Sequence, residues 1–199
     1  MYRKLKELNI GGTFKSNLCD FVVIEKRENE TVLVATYDTF NNIKCNFNAT
    51  SRTENIYASS DLRKYIENKI YEKFVEQFGK NIIPYKSDDD MLYLIRSISL
   101  SEYNIFRNKC CKAFSSDFWL ASKYNSDEKT VMYVEASGSV KNTKHYGEKK
   151  GLILVCALDG NIEVDEDPKV KEKIVSIETD IGYESHMREI SYERLGVIQ

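Results

Sequence analysis

Ser59–Gly79 reads SSDLRKYIENKIYEKFVEQFG. Apolar residues fall at Leu62, Ile66, Ile70, Phe74 and Phe78, an unbroken series at i, i+4 spacing, and Tyr65, Tyr71 and Val75 widen it. Polar and charged residues fill the remaining positions, which is the pattern of a helix lying on a core. Ser60 is placed to cap the first turn, and Asp61 complements the positive end of the helix dipole. Gly79 suits the left-handed residue that ends a helix, with Pro84 soon after. The stretch predicts one amphipathic helix over about 60–79, roughly 30 Å long. Burying its five stripe residues contributes at most about 1.5–3 kcal/mol each. A stripe of this size needs a sheet to lie on. Its residues are accounted for by packing, so activity is sought elsewhere in the chain.

The chain has 199 residues, 42% hydrophobic and 30% charged, with a formal net charge of −2. This is an ordinary globular composition with no global pull toward nucleic acid or an anionic membrane. No apolar run approaches the ~20 residues that span a bilayer. The start, MYRKLKELNIGG, is basic but has no apolar segment of the signal-peptide kind. Five cysteines, an odd number without a CxxC, are expected as reduced thiols in a cytoplasm. Adjacent Cys110 and Cys111 do not suit one tetrahedral metal, and the only histidines, His145 and His186, are far apart. No metal and no cofactor are expected.

Upstream of the helix, residues 2–9 read as a charged lead-in to the Gly11-Gly12 turn. FVVI (21–24) and TVLVAT (31–36) read as strands of a hairpin joined by the polar KRENE. Residues 38–54 are Asn-rich and aperiodic, which predicts a long surface loop. Downstream, residues 86–90 form a polar turn with three aspartates, without the further ligands Ca²⁺ requires. MLYLI (91–95) has the character of a buried strand. Ser99 and Glu102 have capping-box spacing and open a shorter helix over about 100–111, with Leu100, Tyr103, Phe106 and Cys110 on one side. Strands at 118–122, 130–136, 140–146 and 151–158 are predicted to follow as an antiparallel meander, the last of central-strand type and closed by Asp159-Gly160-Asn161. Residues 163–199 hold ten acidic and five basic residues, a net of −5, against +3 for 1–162. The expected architecture is α+β: a single domain over 1–162, mainly antiparallel sheet packed by the two helices, with a charged C-terminal extension over 163–199.

This order of features is similar to that of an uncharacterised domain family found in bacteria and their phages. There a GDTV…WRVL…LL hairpin leads to a tryptophan, then SDLRxWLN…F, an LS…E segment, WWLRS and a closing GVRP strand. Gly12-Thr13-Phe14, the FVVI and TVLVAT strands, Ser60-Asp61-Leu62-Arg63, Ile98-Ser99 with Glu102, Trp119-Leu120-Ala121-Ser122 and Gly151-Leu152-Ile153-Leu154 match in order, over about residues 5–162. Tyr57 stands where the family has tryptophan, Ala121 replaces the arginine of WWLRS, and Ile153-Leu154 replaces the Arg-Pro of GVRP. The resemblance implies a C-type-lectin-like outline, of the kind shared with formylglycine-generating enzymes, and a phage or mobile-element source.

The chemistries of that outline lack their residues here. Its oxidase branch needs two late cysteines and only Cys156 is late; its Ca²⁺-dependent sugar branch needs acidic and amide side chains after a tryptophan, and Trp119 is followed by Leu120 and Ala121. No GxSxG, GxGxxG or GxxxxGK[ST] pattern occurs. The leading expectation is a non-enzymatic recognition module that binds another macromolecule, a protein first, through its loops and C-terminal extension; Asp165, Glu166, Asp167, Tyr183 and Tyr192 are the candidate tail contacts. A second reading is a phage-encoded, anti-CRISPR-like inhibitor of a host defence nuclease, acting by protein contact or by nucleic-acid mimicry. A third is a nucleic-acid-binding module, in which Lys141, Lys144, His145, Tyr146, Lys149 and Lys150 form a basic hairpin with an interleaved aromatic.

Overall fold

The computed structural model describes residues 2–50, 55–87, 90–110, 113–123, 130–144 and 146–166. Its first strands are β1 (Tyr2–Lys4), β2 (Thr13–Lys15), β3 (Asp20–Lys26), β4 (Thr31–Thr36) and β5 (Cys45–Asn46). The long helix follows as α1 (Asp61–Tyr65), a π turn (Ile66–Ile70) and α2 (Tyr71–Phe78). Then come β6 (Ile82–Ile83), β7 (Tyr85–Lys86), β8 (Leu92–Tyr93), β9 (Ile95–Ser97) and the second helix, α3 (Leu100–Cys110). The last strands are β10 (Phe118–Lys123), β11 (Val131–Val134), β12 (Val140–Thr143), β13 (Lys149–Lys150), β14 (Leu154–Asp159) and β15 (Glu163–Glu166).

The fold is α+β, with helices packed on antiparallel sheet. The main sheet has eight strands in the order β1-β15-β2-β3-β4-β14-β6, with β9 also paired to β14. The apolar run ending in β14 is central: Leu154–Leu158 is fully buried between β4 on one side and β6 and β9 on the other. The predicted β3–β4 hairpin forms, closed by Asn29 and Glu30 at positive φ (56° and 60°). The predicted four-strand meander does not. β10, β11 and β12 make a separate three-stranded sheet, and β14 leaves it for the centre of the main one. A strand this apolar is stable only with neighbours on both edges and cover on both faces.

Two further expectations are corrected. The charged lead-in contains β1, and Glu163–Glu166 is a sheet strand lying between β1 and β2 rather than the start of an extension. The boundary at 162 therefore cuts through paired strands. The predicted surface loop over 38–54 is also partly internal. Phe40, Phe47 and Asn48 are buried in it, and β5 pairs with β13.

That segment anchors the helix. Asp61 N–H donates to Asn48 Oδ1 (3.1 Å), Leu62 N–H to Phe47 O (3.0 Å), and Arg63 N–H to the capping Ser60 Oγ (3.0 Å). The first turn's orphan donors are thereby answered. Further along, Phe74 and Phe78 meet the Phe21 ring edge-on, with centroids 5.9 and 5.5 Å away, and join the helix to β3. All five stripe residues are buried, but Val75 is 37% exposed.

The π turn explains how the stripe stays on one side. Leu62 to Phe78 is 16 residues, which at 100° per residue ends about 160° beyond four full turns in a straight α-helix. Tyr71 N–H instead reaches back five residues to Ile66 O, so one residue is absorbed and the drift falls to about 60°. The same argument makes an unusual prediction. Deleting exposed Asn68 lets this turn close as α-helix with both stripe halves still facing the core, so the variant should fold with a Tm within about 5 °C of the parent. Inserting one alanine after Asn68 rotates Phe74 and Phe78 by a further ~100° and should lower Tm by more than about 10 °C. Thermal unfolding followed by circular dichroism checks both.

Candidate functional site

β7 and β8 form a short antiparallel hairpin in which Tyr85 lies opposite Tyr93 and Lys86 opposite Leu92. Directly opposed residues share a face of a strand pair. One face therefore carries two buried tyrosines, at 3% and 4% exposure, and the other carries Lys86 and Leu92, the leucine 66% exposed. Lys86 Nζ pairs with Asp90 Oδ1 across the turn (2.7 Å).

The tyrosines sit on a buried charge. Arg96 in β9 is 1% exposed, and its guanidinium carbon is 5.7 Å from the ring centroids of both Tyr85 and Tyr93. Arg27 lies 5.5 Å from the Tyr85 centroid and Arg63 lies 5.3 Å from that of Tyr93. Cation and ring thus alternate through Arg27, Tyr85, Arg96, Tyr93 and Arg63. Each guanidinium has a carboxylate: Arg27 with Glu25 (3.0 Å), Arg96 with Glu102 (2.8 Å), Arg63 with Glu67 (2.7 Å). Cation–ring contacts are strongest where water is excluded, which is the situation of Arg96.

The central pair is built by local chemistry. Ser99 and Glu102 form the predicted capping box, with Ser99 N–H donating to Glu102 Oε2 (2.9 Å) and Glu102 N–H to Ser99 Oγ (3.3 Å). The other carboxylate oxygen is left to receive Arg96 Nη2. Arg96 Nη1 also donates to Ser97 O (2.9 Å), and Ser97 N–H donates to the Tyr57 hydroxyl (3.0 Å). Burial raises the pKa of Tyr57 and Tyr85 well above the ordinary tyrosine value, with the Arg96 charge opposing the shift in both.

Over this base lies an open groove of about 470 Å³. Ile66, Glu67 and Tyr71 from the π turn and the start of α2 form one wall, and Pro84, Leu92 and Leu94 form the other, with Tyr93 and Ile95 between. The lining is mainly apolar, and Glu67 is its one charged residue. Exposed Met91 (42%) adjoins Leu92 at the hairpin end. π turns recur at functional sites, and here the extra residue sits in a groove wall.

Burial pushes the Cys19 and Cys45 thiols up to about 12, and Cys156 higher still, so all three are protonated at neutral pH. No group of three His, Cys, Asp or Glu among the described residues is placed to hold a metal. No helix among them is long and apolar enough to cross a membrane.

The sequence-based candidates are scattered. Lys141 is in β12 and Lys149 in β13, strands of two different sheets, so 141–150 does not form a single basic hairpin. Lys141, Lys144 and Lys149 are exposed. Tyr146 is half-buried, and its carbonyl accepts the N–H groups of Phe47 (3.0 Å) and Asn48 (3.2 Å). Lys150 is not a surface cation: its Nζ lies 3.9 Å from the Tyr133 centroid, 3.2 Å from Glu148 and 3.5 Å from Asp117, with the side chain 9% exposed. Asp165 and Glu166 belong to β15, where buried Glu166 pairs with Arg3 (3.3 Å). His145, Asp167, Tyr183 and Tyr192 lie outside the described residues. The groove and the arginine–tyrosine stack escaped the sequence reading. The available signal was Arg96 itself, a lone arginine closing the apolar run MLYLI, which requires a carboxylate if that run is buried.

Two expectations test the stack. Arg96→Met alone should cost about 3–5 kcal/mol by stranding the Glu102 carboxylate, and adding Glu102→Gln, which retains the cap acceptor, should recover much of that loss in urea unfolding. The buried tyrosines set an alkaline limit. Their folded pKa values are raised, so their stabilisation is complete below pH ~10, the unfolded value, and is lost above it at about 1.4 kcal/mol per pH unit for each. The Tyr85 hydroxyl is buried without a hydrogen-bond partner, so Tyr85→Phe should leave neutral-pH stability unchanged or raise it by about 1 kcal/mol, and should shallow the alkaline slope in urea titrations at pH 9–11. Compared with protein families, curated proteins and solved structures, the chain has no significant match to any of them.

Proposed function

We propose that this chain is a non-enzymatic recognition module that holds another polypeptide in the groove between the π turn and the β7–β8 hairpin, with the 167–199 extension as a further contact. The observation that carries this reading is an apolar groove bordered by exposed Met91 and Leu92. Exposed apolar surface gathered around a hollow is the usual mark of a protein-binding site. The proposal takes from the family resemblance a C-type-lectin-like outline and a phage or mobile-element source. If the bound polypeptide is a host nuclease, the module acts as an anti-defence inhibitor.

A second reading rests on the exposure of Lys141, Lys144 and Lys149, with Tyr146 among them: contact with nucleic-acid phosphates. One experiment separates the two. A photo-crosslinking residue is placed at position 92 or at position 144, and the full chain is irradiated in the cell that makes it. A polypeptide captured at 92 and lost on Leu94→Asp is the expected result. Nucleic acid captured at 144 with nothing at 92 would overturn the proposal in favour of the second reading.

A further inference from the structure

The chain leaves the main sheet at a defined place. Glu166, the last residue of β15, lies opposite Phe14 in β2. One position further on, β2 begins at Thr13, and the residues before it turn away, with Gly12 N–H donating to Asn9 O (2.8 Å). On the other flank the pairing with β1 starts at Tyr2 opposite Asp165. Pro168 follows two residues after Glu166 and has no N–H to add to a ladder. The exit of the 167–199 extension is therefore beside the Gly11-Gly12 turn.

That turn is also where α3 meets the sheet. Lys109 Cβ lies 3.2 Å from the place a Cβ would take on Gly11, whose φ is +88°. Gly11 is three residues from Phe14, roughly 10 Å along an extended chain. Two exposed apolar side chains flank the contact. Ile10 (42%) adjoins Gly11, and Ile105 (39%) is one turn before Lys109 on the same side of α3. Neither belongs to the groove. Arg107 and Lys109 make the last turn of α3 basic. β15 runs toward this face.

The sequence after Glu166 has what such a face needs. Val170, Ile174, Ile177 and Ile181 fall at i, i+4, i+7 and i+11, the stripe of a helix with one apolar side, and the residues between them are polar or charged apart from Val175. Asp167 is an N-cap residue type, Pro168 suits the first helical position, and Gly182 suits the stop. A helix of this length is marginal alone in water and needs a surface for its stripe.

We propose that residues 168–181 form a helix that lays Val170, Ile174, Ile177 and Ile181 over Ile10 and Ile105, with Asp167 toward the basic end of α3. The inference goes beyond the groove reading and does not rest on it. Of the extension, it leaves the residues from Tyr183 onward to meet a partner.

The test uses the full chain at about 1 µM, where a tethered segment outcompetes a second copy. A benzophenone amino acid replaces exposed Asn108, one turn from Ile105. Irradiation should link it to 167–182 in a product of single-chain mass, mapped by mass spectrometry, and Ile174→Asp should lower the yield at least about 10-fold. Amide exchange over 170–181 should be at least about 10-fold slower than in the free 167–182 peptide, and Ile10→Asp and Ile105→Asp should each bring it to within about 3-fold of that peptide. If Ile105→Asp disturbs α3, Ile10→Asp and Ile174→Asp decide. Exchange at the free-peptide rate, or protection that survives both Ile10→Asp and Ile105→Asp, would overturn the inference. So would a crosslinked product found only at twice the chain mass, which would make a second copy the occupant of this face.

Discussion

A guanidinium with 1% exposure cannot be left to itself, and much of this molecule is arranged around Arg96. Desolvating a charge costs several kcal/mol unless a counter-ion and hydrogen bonds answer it. Glu102 supplies the counter-ion, but only because its second oxygen is already fixed by the Ser99 N–H at the start of α3. The cap that starts the helix therefore also aims the carboxylate. The hairpin of Tyr85 and Tyr93 then covers the charge with two ring faces, and the outer arginines Arg27 and Arg63 tie those rings back to β3 and α1. One wall of the groove is a consequence of this arrangement, since the tyrosine face of the hairpin turns inward and leaves Leu92 facing out.

The opposite wall follows from a mismatch of periods. A stripe repeating strictly every four residues does not fit a helix of 3.6 residues per turn over this length. The chain resolves the mismatch locally, at Ile66–Ile70, instead of supercoiling or twisting the stripe off the sheet. A single widened turn is enough because the aromatic contacts of Phe74 and Phe78 with Phe21 fix the C-terminal half, while Asn48 and Phe47 fix the N-terminal half. The strain of accommodation falls between two anchored ends, and the groove lies where it falls.

Local signals in the sequence were dependable wherever neighbours in the chain decide the outcome. The helix and its Ser60 cap, the capping box at Ser99 and Glu102, the β3–β4 hairpin and the central character of β14 all follow from spacing within a dozen residues. What was not legible depends on partners far away in sequence. Lys150 reads as one more surface lysine until Tyr133, Asp117 and Glu148 close around it. Phe40 and Phe47 carry no period because each fills a single gap rather than a repeating face. The four-residue strand β15 was hidden by its charges, although Ile162 and Val164 alternate as a strand should; the Asp159-Gly160-Asn161 turn before it makes no hairpin, since β15 pairs with β1 and β2 and not with β14. The groove itself is a relation between π turn and hairpin, and no single stretch contains it.

β15 carries a consequence for how the molecule comes into being. Among the described residues, β1 has β15 as its only sheet neighbour, and β15 sits between β1 and β2. On the ribosome, Tyr2 must therefore wait for Asp165, its partner in the register, before that corner of the sheet can close. Throughout translation the free side of β2 stands as an open template, of the kind that recruits other nascent chains. The short lengths of β1 and β2, three residues each, limit what can pair there in the meantime. The acidic character of Glu163–Glu166, set against Arg3 and Lys15 on its flanking strands, helps the late strand find its place by charge as well as by shape.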